Sequence, residues 1–133
     1  MLNNDADPTD PKSITGILHH PHLYEEAGST SSTIFDLPLV EKGIEIKKLV
    51  ILRKKKSVLH LQGDSKNYMN AYFYPIENPY YSIVGPDGTY AIYQVPAGKY
   101  KLITWHPTIG TQEKEFEVGA KGKVIVDFEF SSK

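Results

Sequence analysis

Residues 85–107 read GPDGTYAIYQVPAGKYKLITWHP, and this stretch decides the fold class. Gly85-Pro86-Asp87-Gly88 is a strong turn signal, because Pro presets one backbone angle and Gly admits positive φ. After it, residues 89–95 alternate Tyr90, Ile92 and Gln94 against Ala91, Tyr93 and Val95. Pro96-Ala97-Gly98 makes the next turn. Residues 99–105 then set Tyr100, Leu102 and Thr104 opposite Lys99, Lys101, Ile103 and Trp105. A period of two is that of a strand with one buried face. Strands this short, separated by Asp-Gly and Pro-x-Gly, predict antiparallel pairing.

The same pattern extends in both directions. Strands are expected over 80–84, 112–118 and 123–130, the last alternating Val124, Val126, Phe128 and Phe130 with polar positions. Gly119-Ala120-Lys121-Gly122 supplies the intervening turn. Upstream, strands are expected over 34–39, over 44–52, over 57–61 after the basic run Arg53-Lys54-Lys55-Lys56, and over 68–74. Pro75 to Pro79 forms a break. Residues 25–33 (EEAGSTSST) read as a polar loop. Residues 1–13 read as a disordered acidic tail broken by Pro8 and Pro11, and Ile14, Ile17 and Leu18 offer one added edge strand. The expectation is an all-β, antiparallel Greek-key β-sandwich forming one domain over 14–130, in two parts, 14–75 and 76–130.

Composition sets outer limits. A chain of 133 residues is one domain's worth, and 40% hydrophobic content suffices for a core. Lys plus Arg is 15 against Asp plus Glu 16, so no global basic field draws nucleic acid, and the 53–56 run reads as a solvated turn. Cysteine is absent, which excludes disulfides, thiolate zinc sites and any copper centre needing a thiolate. The longest aliphatic run, Leu49 to Leu52, is far too short to span a membrane. The first 13 residues show no basic start followed by an apolar stretch, so this start reads as that of a cytosolic chain, a mature form or a fragment.

The quoted stretch is similar to the Asp-Gly-x-Tyr/Phe, Val-Pro-x-Gly-x-Tyr-x-Leu and Trp-His pattern of carboxypeptidase-regulatory-like, transthyretin-type domains. Asp87, Gly88, Tyr90, Val95, Pro96, Gly98, Tyr100, Leu102, Trp105 and His106 carry that likeness. Residues 59–88 resemble periplasmic cupredoxin-like proteins that bear this same C-terminal extension. Their Leu-x-Cys-Asp-x-His-x-x-Met-x-Ala-Tyr run aligns with Leu61, Gly63, Asp64, Lys66, Met69, Ala71 and Tyr72. Asn78, Pro79, Tyr80 and Tyr81 match the Asn-Pro-Tyr-Phe that follows it. LHHPHLY resembles the segment bearing the first copper histidine, with His19 at that position, and IFDLPL matches the next strand. The resemblance covers roughly residues 17–118 and implies a periplasmic or extracellular setting. The departures matter more. Type 1 copper needs two imidazoles, a thiolate and a weak axial Met. This chain keeps His19 and Met69 but has Gly63 in the thiolate position and Lys66 in that of the second imidazole. The resemblance therefore implies a relic ligand loop, Gly63, Asp64, Lys66 and Met69, without functional type 1 copper. It also implies strands before His19 that this chain does not supply.

Three kinds of site remain open. His19, His20 and His22 can chelate Cu, Ni or Zn, with His20 and His22 on one face of an extended segment and His19 on the other, and His60 or His106 as a third ligand. Tyr68, Tyr72, Tyr74, Tyr80 and Tyr81 can form an aromatic face for carbohydrate or for a protein partner. The relic loop can line a small-molecule pocket. Catalysis finds no constellation: G-x-S-x-G and H-E-x-x-H are absent, and Glu25-Glu26 falls in the expected loop. The ending FEFSSK departs from the Tyr-Arg-Gly-Ser of the transthyretin-like hydrolases. The expectation is a non-enzymatic binding or assembly module, with no cofactor required. The alternatives are a histidine-based metal protein and a carbohydrate-binding module. A sandwich with missing strands leaves an edge open, which predicts a homo-oligomer or a β-rich partner chain.

Overall fold

The computed structural model describes residues 1–5, 9, 15–64 and 66–131. It is all-β and antiparallel, with no helix among the described residues. The strands are β1 (Thr15–His19), β2 (Pro21–Ala27), β3 (Thr30–Asp36), β4 (Leu39–Glu41), β5 (Val58–Gly63), β6 (Lys66–Phe73), β7 (Gly98–His106) and β8 (Gly110–Val118). The chain forms two compact units, Met1–Pro75 and Ile76–Lys133.

The first unit holds a four-stranded sheet, β3-β2-β5-β6, and a two-stranded ribbon, β1-β4. Register explains which residues the sheet buries. Leu23 on β2 faces Phe35 on β3 and Leu61 on β5, and Leu61 faces Ala71 on β6. These positions share one face, because directly opposed residues in antiparallel strands point the same way. Leu23 and Leu39, one from the sheet and one from the ribbon, are the fully buried apolar side chains among the described residues.

Three expectations in this unit are corrected. The polar stretch 25–33 is the end of β2, a tight turn and the start of β3, with Gly28 at φ 61. Its Thr and Ser residues sit well on a half-exposed strand, so polarity there marked an outer strand and not a loop. Glu25, assigned to that loop, is fully buried. Residues 44–52 form no strand; Glu45 makes an isolated bridge with Leu2. Their alternation survives as half-burial of Ile44, Ile46 and Val50. Their backbone partners come from the N-terminus: Asn3 N–H donates to Ile44 O at 3.0 Å, and Ile46 N–H to Met1 O at 2.8 Å. Residues 1–5 are thus anchored and do not form a loose tail, because Asn3 is buried and its side-chain amide donates to Leu39 O. Residues 6–8 and 10–14 lie outside the described residues.

In the second unit β7 and β8 form an uninterrupted hairpin, from Gly98↔Val118 to His106↔Gly110. Gly110, at φ 93, closes it. The other expected strands, 80–84, 89–95 and 123–130, carry no ladder hydrogen bonds. Backbone reasons are visible. Gln94 sits at φ 60, outside the β region, just before Pro96. Tyr80 N–H donates to the Asn78 side chain in an Asx turn instead of joining a ladder. Lys121 sits at φ 57 in the turn that precedes 123. The alternation of 89–95 and 123–130 is expressed through side chains: the Tyr90 hydroxyl donates to Val126 O, and Lys114 Nζ and Gln112 Nε2 donate to Asp127 O and Glu129 O.

Candidate functional site

The ribbon and the sheet of the first unit enclose a cavity of about 450 Å³. Leu18 and His19 enter it from β1, Leu39 from β4, and Leu61, Met69 and Ala71 from the sheet, while Met1 to Asp5 line one side. The volume lies in the range of small-ligand pockets, roughly 300–1,000 Å³. Its walls are mainly apolar, and His19, His20, Asn3, Asp5, Gln62 and Asn70 are among its polar points. His19 Nε2 is 2.5 Å from Asp5 Oδ2, which fixes the ring at the cavity wall. Three of the four positions aligned with a type 1 copper set, His19, Gly63 and Met69, line this one cavity. Asp64 lies apart from that lining, in the tight turn from β5 to β6. Lys66 begins β6, and its side chain lies outside the described residues.

The opposite face of the sheet carries a polar and aromatic array, again set by register. His22 opposes Asp36 on β3 and Gln62 on β5, and Tyr24 opposes His60, which opposes Tyr72 on β6. The rings of His22 and Tyr24 stack at 3.9 Å, and those of His60 and Tyr72 at 4.3 Å. The pairing of β2 with β5 continues past Pro21↔Gly63, where Asp64 N–H donates to His20 O at 3.0 Å. His20, His22, Asp36 and Asp64 therefore gather at one end of the sheet. His20 Nε2 is 2.6 Å from Asp36 Oδ1, and His22 Nδ1 is 3.2 Å from Asp64 Oδ2. One donor atom each from His20, Asp36 and Asp64 lie within 4.8 Å of one another. Partial burial, and then the charges of Asp64 and Asp36, push the Tyr24 phenol above its ordinary value.

The expected triple of histidines is corrected accordingly. His20 and His22 do reach one cluster, but His19 turns to Asp5, as alternation along a strand dictates. Neither expected third ligand joins them. His60 is held between Glu26 Oε1 at 3.0 Å and Asn70 Oδ1 at 2.8 Å. His106 Nδ1 accepts from the amides of Thr108 and Ile109 in the β7–β8 turn. The expected aromatic face divides between the units: Tyr68, Tyr72 and Tyr74 belong to the first, Tyr80 and Tyr81 to the second.

Sequence reasoning missed Asp36 as a possible ligand and Glu25 as a buried charge. The available signal for Asp36 was its place at the end of the IFD run, but only strand pairing sets it opposite His22. Glu25 Oε1 accepts from Arg53 N–H, Lys54 N–H and Ser57 Oγ, each at 2.9 Å, while Oε2 finds no partner among the described residues. The basic run thus has an inward role through its amides. No protein-family model, curated protein or solved structure matches the chain.

Proposed function

We propose that the chain is a non-enzymatic binding module of the cupredoxin-like and carboxypeptidase-regulatory-like group, working in the periplasm or outside the cell, whose former copper site has become a small-molecule pocket. The observation that carries this reading is the meeting of His19, Gly63 and Met69 in one cavity. Gly63 carries no thiolate for copper. The apolar walls favour a ligand with a hydrophobic body, and His19 with its Asp5 partner offers one polar anchor. Carbohydrate finds less support, because Tyr72 is already stacked on His60 and the tyrosines are split between the units.

Copper spectroscopy tests the alignment on which the reading rests. Wild-type protein with Cu(II) is expected to show no intense band near about 600 nm, the signature of copper–thiolate bonding. The double variant Gly63→Cys, Lys66→His restores the missing ligand types and is expected to turn intensely blue. A folded double variant that stays colourless with copper removes the basis for the reading.

A further inference from the structure

The sheet end that gathers His20, His22, Asp36 and Asp64 borders the cavity through His20, while His22, Asp36 and Asp64 stand outside its lining. We propose that these four side chains form a binding site for one divalent transition-metal ion of the zinc class. The site differs from the relic copper set: it uses neither His19 nor Met69.

Four arguments converge. The first is the origin of the donors. They come from β2, the residue before it, the end of β3 and the turn after β5, three neighbouring strands whose backbones are locked by pairing. A ligand set on paired strands is held in place before any ion arrives.

The second is distance. Tetrahedral ligands at about 2.0–2.2 Å from zinc stand roughly 3.4 Å from one another. The separations here are 2.6 Å for His20 and Asp36 and 3.2 Å for His22 and Asp64, with His20, Asp36 and Asp64 all within 4.8 Å. His22 stands outside that three-residue group and reaches it through Asp64.

The third is the state of His22. Its Nε2 lies 2.9 Å from Thr33 Oγ1, a contact made possible by the bulge that skips Ile34 and sets Thr33 opposite Tyr24. On the other side of the ring, Nδ1 lies 2.9 Å from the Tyr24 hydroxyl and 3.2 Å from Asp64 Oδ2. In the tautomer whose Nε2–H donates to Thr33, Nδ1 is free to ligate a metal ion, which takes the place of the Tyr24 hydroxyl as its partner. The Thr33 contact is of the kind that orients metal-bound imidazoles from outside the ligand shell.

The fourth is charge. Asp36 and Asp64 bring two carboxylates close together, and among the described residues neither makes an ion pair with lysine or arginine. A divalent ion neutralises both. Imidazole with carboxylate and no thiolate selects Zn(II), Ni(II) or Cu(II) over Cu(I).

The test is a zinc titration of the tag-free full chain after chelator treatment, read by competition with a chromophoric chelator. One equivalent is expected to bind and to raise the thermal unfolding midpoint. The Asp36→Asn, Asp64→Asn double variant, which keeps shape, is expected to bind at least about tenfold more weakly. His19→Gln and His60→Gln are expected to bind like wild type. NMR of the wild-type imidazoles gives a readout that does not depend on any variant folding: zinc should shift the His20 and His22 ring signals and leave His60 unmoved. Unmoved His20 and His22 rings, or equal affinity in the folded double variant, would show that a proton alone occupies the cluster and would overturn the proposal.

Discussion

Glu25 holds a carboxylate inside the first unit because three donors surround one of its oxygens. The Lys54 amide has the largest effect in holding its pKa below the ordinary carboxylate value of 4.5; burial opposes it, and Ser57 and the Arg53 amide add to the lowering. The sign of the linkage follows. A folded-state value below the unfolded one stabilises the protein at pH above 4.5, and that contribution is lost as pH falls through the lower folded value. Urea unfolding from neutrality down to about pH 3 should show stability falling on the acid side. Glu25→Gln should be less stable at neutral pH and should show a flatter acid limb, so that the two curves approach each other at the acid end. Parallel curves would mean that the charge on Glu25 does not matter. Oε2, unpartnered among the described residues, makes the point sharper, since a buried oxygen without a partner is a cost that the donors on Oε1 must offset.

At the scale of elements, the β2–β3 hairpin decides where the metal-ligating side chains stand. Its turn needs Gly28 at φ 61, and nothing lies within 4 Å of where a Cβ would be. Any cost of a side chain there is therefore backbone strain alone. Gly28→Ala should destabilise the chain by about 1–2 kcal/mol, the cost of left-handed backbone for an L-residue. Gly28→Asn should recover part of that, because Asn tolerates this region better. Urea midpoints of the two variants provide the check; equal losses would point to a contact and not to φ. The register set by this hairpin was not legible in residues 25–33, whose polarity suits a loop and an outer strand equally. The strands β7 and β8 were legible, because Lys99 to Trp105 alternate without interruption.

For the whole molecule, the outstanding feature is apolar surface. Ile83 is 86% exposed, Tyr93 78% and Ile125 75%, all in second-unit segments whose backbones lack ladder partners. Unpaired extended backbone with apolar side chains is a template for association. The expected outcome is a homodimer, or a complex with a β-rich chain, and light scattering at micromolar concentration measures it. A mass of 15.0 kDa, that of one chain, would count against assembly. Amide exchange locates the contact: slow exchange along 80–84 or 123–130 in the associated species is expected, with faster exchange on dilution.

The sequence by itself determined the all-β class, the strands that become β7 and β8, and the alternation that puts His20 and His22 on one face and His19 on the other. All of these depend on neighbours a few residues apart, where period and turn chemistry suffice. Only the tertiary structure decided that Asp36 and Asp64 meet those imidazoles, that Glu25 is buried against the amides of 53 and 54, and that Asn3 reaches Leu39. Those contacts join positions 16 to 44 residues apart in the chain. The partners of His20 and His22 are fixed by strand register, and a shift of one residue would send those side chains to the other face.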